Sequence, residues 1–163
     1  MSQLTYSIDM SAGQDGLIYD IGFNDFITGL AEETVIPGVL VVKGTSDKQV
    51  LLPASVAAIS NPLSVRGFVT RDVAHEMNAS GNLSYAAEVA VSVMTKGRMW
   101  MVCEDAFEAT DSVFVRHTAS GGNTQLGRIR TDADTATAAV LLGAKILNSG
   151  DAGALALVQF DLI

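Results

Sequence analysis

The chain has 163 residues, 48% apolar and 17% charged, with 18 acids against 10 bases and a net charge of −8. That is one packed domain rather than a disordered chain, and it carries no basic stripe to displace the counterions of nucleic acid. Its one cysteine, Cys103, excludes an internal disulfide, and its two histidines, His75 and His117, are too few for a His-built metal centre.

Residues 1–34 read as an extended N-terminal arm or peripheral strand, and residues 35–163 as a single β domain. MSQLTYSIDMSAG has neither the basic nor the apolar region of a secretory signal, so synthesis in the cytoplasm is expected. Residues 1–42 hold Asp9, Asp15, Asp20, Asp25, Glu32 and Glu33 and no Lys or Arg. Large apolar residues lie among these acids: Ile18, Ile21, Phe23, Phe26 and Ile27. An arm so apolar must cover something, either its own barrel or a neighbour.

The body reads as short strands. VLVVKG (39–44) and QVLLP (49–53) flank a Thr-Ser-Asp turn as a hairpin, and ASVAAI (54–59), between Pro53 and Pro62, reads as a helical turn. Val89, Val91 and Val93 alternate with small residues over 88–95, and Met99, Met101 and Cys103 alternate over 98–104. Lys96-Gly97 between them reads as a turn joining two strands. SVFVRHT (112–118) and QLGRIRTD (125–132) form a second hairpin about Gly121-Gly122. Residues 131–150, with an Asp at the N-cap position, an Ala-rich interior and Gly150 at the end, favour helix by propensity, against the objection of Gly143. The tail ALALVQFDLI (154–163) is a closing strand with Val158, Phe160 and Leu162 on one side. This pattern predicts an all-β chain, a jelly-roll-like sandwich or a barrel. No apolar run approaches the ~18 residues of a membrane-spanning helix, so no membrane partner is expected.

Residues with chemical potential do not converge. Cys103 keeps phase with Met99 and Met101 and reads as a core thiol. Ser120, Asp111 and His117 are the residue types of a hydrolase triad, but there is no nucleophile elbow, and His117 reads as a turn histidine. Asp132 and Asp134 offer two carboxylates where Ca²⁺ or Mg²⁺ wants more oxygen ligands, and read as a solvated turn. Arg128 and Arg130 read as salt-bridge or subunit-contact residues. No phosphate-cradling glycine loop is present, and one tryptophan, Trp100, makes no stacking platform. No catalysis, metal or cofactor is expected.

The runs K-G-R-M-W-M-V (96–102), D-S-V-F-V-R-H-T (111–118), T-D-A-D-T-A-T-A (131–138) and G-A-L-A-L-V-Q-F-D-L (153–162) together resemble tailed-phage structural cement, or capsid decoration, proteins. V-I-P-G-V-L-V-V-K-G (35–44) and V-L-L-P (50–53) look like that family's first hairpin. The chain has Thr110-Asp111 where the family usually shows Gly-Asp, and Leu142-Gly143 where it tends to place Pro before the glycine. The resemblance implies a jelly-roll-like domain on the outer surface of a virion capsid, locking neighbouring major capsid protein subunits together. It also implies that 137–147 is a strand bulged at Gly143, against the propensity reading. The free protein is then expected to be a homo-oligomer, dimer or trimer, made in the host bacterial cytoplasm.

The arm is the expected capsid or subunit contact, through Ile18, Ile21, Phe23, Phe26 and Ile27. Two other classes compete. A small-molecule-binding or enzymatic cupin-like barrel would show a pocket with convergent polar groups, and a host-binding module of a phage particle would show exposed aromatics.

Overall fold

The computed structural model describes residues 13–20, 22, 24–72 and 83–162. Among these residues nine strands and one short helix follow in chain order: β1 (Asp25–Ala31), β2 (Leu40–Lys43), β3 (Gln49–Leu51), α1 (Val56–Ser60), β4 (Val65–Val69), β5 (Ala90–Val102), β6 (Ser112–Arg116), β7 (Ile129–Arg130), β8 (Ala138–Ile146) and β9 (Leu155–Asp161). Hydrogen bonds order them β1-β3-β2-β4-β5-β9-β8-β6-β7, and β1 also pairs with β5. That extra pairing closes β1, β3, β2, β4 and β5 into a barrel. The other side of β5 carries β9, β8, β6 and β7, and a bridge between Cys103 and Ile129 brings β7 back to the end of β5. β5 is therefore the shared wall of two rings.

Each ring has its own core. Ala31, Val39, Val41, Val50, Val69, Val91 and Val93 pack inside the first barrel with Tyr85 and Leu83. Met94, Met99, Met101, Phe68, Phe160, Val113, Val115 and Ile129 form the second and larger core. β5 serves both by changing face part-way along. Asp25 pairs with Lys96 but Phe26 with Met94, so Thr95 is an extra residue with no partner opposite. Before this bulge the odd residues Val91 and Val93 face the first core while Met94 faces the second. Beyond it, Met99 and Met101 have become the second-core residues. One inserted residue exchanges the two faces of a strand.

The expected turn at Lys96-Gly97 is therefore corrected: β5 runs unbroken through both residues. Gly97 is needed because its φ is +140°, and a side chain there would strike Asn24 and the methyl of Met94. Over 131–150 the strand that the resemblance implies is found, as β8, and not the helix favoured by propensity. Val140 pairs with Phe114, but the next β6 pairing jumps to Lys145 opposite Ser112, so the bulge holds Gly143, whose φ is +82°. Buried Leu141 and Ile146 supply the tertiary contacts that outweigh propensity.

The helical turn before Pro62 is present as α1, capped by Ser55, whose hydroxyl accepts from the Ala58 N–H at 3.3 Å. The second hairpin forms as β6 and β7, and the tail as β9. Residues 25–31 of the N-terminal segment are a barrel strand, and residues 16–19 run along β5, where the Trp100 N–H donates to the Leu17 carbonyl at 2.9 Å.

Candidate functional site

The residues with chemical potential are spent on structure. Cys103 is fully buried and its thiol donates to Asp105 Oδ1 at 3.4 Å. Burial pushes that thiol up to about 12, far from a reactive thiolate. His117 is buried, with Nδ1 2.9 Å from the Thr118 hydroxyl, while Asp111 accepts from the Glu108 N–H in another loop and Ser120 pairs with Asn123 across a turn. These three form no triad. His75 lies outside the described residues. Among the described residues no cluster of His, Cys, Asp and Glu could hold a metal, and no helix is long and apolar enough to cross a membrane. Valine side chains fill the first barrel where a cupin-like reading would need a polar cavity.

Two arginines organise a cluster of ion pairs. Arg116, fully buried on β6, places Nε 2.9 and 2.8 Å from the two oxygens of Glu104. Its Nη2 donates to Asp134 at 2.8 Å, and its Nη1 to the Thr118 carbonyl and the Thr137 hydroxyl. Arg130 on β7 donates to Glu104 at 3.1 Å and to Asp132 at 2.6 Å. Asp132 and Asp134 are thus tied down by guanidinium groups rather than simply solvated. Arg116 and Thr137 hold the Asp134 carboxyl below its ordinary 3.8. The network clamps a turn in which Asp134, Thr135 and Ala136 take φ of +40°, +55° and +68°, a left-handed run that is costly for L-residues.

A second clamp fixes the N-terminal segment. Asp15 pairs with Arg128 and accepts from the Val102 N–H at 3.1 Å, and Gly38 leaves the space its carboxylate fills. Burial pushes the Asp15 carboxyl up, against the opposing pull of Arg128. Sequence reasoning identified neither Arg116, Glu104 nor this use of Asp15. The only signal was an Arg inside a valine-rich strand, where a charge normally points to solvent.

Exposed apolar surface is the other place to look for a site. β1 leaves a large side chain exposed on each of its faces: Phe26 is 45% and Ile27 37% exposed, and neighbours on a strand point to opposite faces. Among the described residues, only one edge of this half of β1 is paired. The Ala31 N–H bonds towards β5 and the Leu30 N–H towards β3, where it meets the Lys48 carbonyl at 2.9 Å. By alternation, the backbone groups of Phe26 and Thr28 face the β3 side. β3 reaches only Leu30 and Ala31, so no described strand pairs with Phe26 or Thr28 on that edge. Asp20 and Asp25 lie close by on the chain. Of the other expected contact residues, Ile18 bridges to Met99 and packs against the second core, and Ile21 and Phe23 lie outside the described residues.

A profile of the family described as structural cement protein (E217 gp24/Pam3 gp6) matches residues 2–161. The solved structure titled "The capsid of Myoviridae Phage XM1" is similar with a TM-score of 0.72 at 15% identity, over 98% of this chain and 97% of that one. At that identity the likeness is one of fold. The head fiber gp8.5 N base of bacteriophage phi29 is similar with a TM-score of 0.44 at 9% identity, over 86% of this chain and 96% of that one. No curated protein matches by sequence.

Proposed function

The chain belongs to the phage structural cement protein family, and from that premise we propose how it holds a capsid together. Its role is structural, that of a capsid decoration protein, and the family points away from catalysis. In this reading it sits on the outer surface of the capsid and bridges neighbouring major capsid protein subunits. The attachment device is the open edge of β1, which receives an extended segment of coat protein as an added strand. Phe26 and Ile27 then grip the two sides of that strand, with Ile21 and Phe23 extending the contact and Ile18 anchoring its root on the body. Asp25, with Asp20 already shared with Arg98, favours a basic group on the coat, mainly through steering and register.

The observation that carries the reading is a β edge beside Phe26 and Ile27 that no described strand pairs, on a chain of this family. Covering the exposed parts of Phe26 and Ile27 is worth about 1–2.5 kcal/mol, by scaling full burial at ~1.5–3 kcal/mol per side chain. That is weak for one contact. A homo-oligomer touching several coat subunits multiplies it through effective concentration. Phe26→Ser with Ile27→Ser should leave the fold intact and sharply reduce co-sedimentation with undecorated capsids. Unchanged co-sedimentation would show that another surface holds the coat.

A further inference from the structure

A second apolar surface lies away from β1, where α1 packs against β8. It contains a groove of about 230 Å³ lined by Ile59, Pro62, Val65, Leu141 and Leu162. Leu142 stands at the groove 72% exposed, and Leu63, next to Pro62, is 83% exposed. The bulge in β8 holds Leu142 there. Gly143 takes φ +82° and passes so close to the Asp161 carbonyl that no side chain fits. A bulge that turns a leucine out of the core towards water re-aims a side chain at the cost of burial, which calls for a partner.

The charges distinguish that partner. Residues 53–65 and 138–144 contain no ionisable side chain. The one acid lining the groove, Asp161, is neutralised by Lys96 at 2.7 Å. A chain of net charge −8 repels its own copies wherever its acids would meet. On this face two copies can approach without burying a like charge. The β1 surface instead carries charges of both signs, Asp20 with Arg98 at 3.4 Å and Asp25 opposite Lys96.

We infer that the α1–β8 face is the self-association surface of this protein, an isologous contact in which Leu142 of each copy enters the groove of the other. This deepens the homo-oligomer reading above and rests on it. The same patch then appears on both sides of a twofold axis, so the contact closes and leaves both β1 edges free for coat.

Sedimentation velocity over a hundredfold concentration range tests it. Wild-type protein should associate reversibly. Leu63→Ser with Leu142→Ser, at positions too exposed to disturb folding, should raise the dissociation constant at least tenfold. Phe26→Ser with Ile27→Ser should associate as wild type does. Wild-type-like association by the Leu63/Leu142 variant would overturn the inference while leaving the homo-oligomer intact. A wild-type protein monomeric throughout would overturn the homo-oligomer itself. Loss of association in the Phe26/Ile27 variant alone would place the self-contact on β1.

Discussion

Glu104→Gln separates a buried charge network from decorative surface pairing. Arg116 is fully buried and Glu104 nearly so, and the guanidinium meets both carboxylate oxygens within 3 Å. Glutamine keeps the shape but replaces one acceptor oxygen with an NH₂ donor facing a donor. Arg116 then keeps only Asp134 as a charged partner, and Arg130 loses one of its own. Removing one member of a buried pair costs about 3–5 kcal/mol, because the remaining charge is stranded away from water. For a chain of 163 residues that corresponds to a fall in Tm of about 6–20 °C. Calorimetric unfolding measures it directly. Arg116→Met with Glu104→Leu removes both charges together and leaves Arg130 bonded to Asp132, so it should be less destabilised than Glu104→Gln alone. A fall of less than about 2 °C for Glu104→Gln, under ~1 kcal/mol, refutes the reasoning.

Three further outcomes follow from the cores, the strained turn and the thiol. Val91→Asp and Met101→Asp should abolish soluble folded protein and Ser92→Asp should not, because only the first two are buried; comparable soluble yield for all three would invalidate the face assignment. The Asp134 carboxyl is held below its ordinary 3.8, so its contribution is in place at neutral pH and is lost as pH falls through 3.8 and below. Asp134→Asn should therefore be less stable than wild type at pH 7, and the gap measured by denaturant unfolding should narrow below about pH 4; a gap independent of pH contradicts this. Cys103 should resist a disulfide thiol reagent at pH 8 in the native protein and react promptly once unfolded, since burial pushes its thiol up to about 12; rapid native labelling would refute that.

The legible parts of the fold were those in which large side chains alternate with small or polar ones. Val91 and Val93, Met99 and Met101, and Val158 and Phe160 all lie buried as their phase predicts. Where the sequence misled, one residue type was serving two purposes. Lys96-Gly97 has the composition of a turn, yet Gly97 instead lets a continuous strand pass close to Asn24 and Met94 just after the bulge that exchanges its faces. β1 read only as part of an arm or peripheral strand because Gly29 and Ala31, on the face it turns to the first core, are too small to register as a core pattern, while Phe26 and Ile27 stay exposed on opposite faces. Gly29 is small because Val50 of the closing strand lies against it. In the charged region, alternation places Phe114 and Arg116 opposite Val113 and Val115, which reads as a solvent face. Glu104 and the turn at 132–137 fold over that face and bury the guanidinium, and neither is near Arg116 in a way that strand periodicity reveals.

The most direct test of the central claim is the density difference between cryo-electron microscopy maps of capsids assembled with and without this protein. The proposal predicts density on the outer capsid surface, with the β1 edge beside a coat segment at the ~4.8 Å spacing of paired strands. Identical maps, or bound protein with β1 turned to solvent, would contradict it.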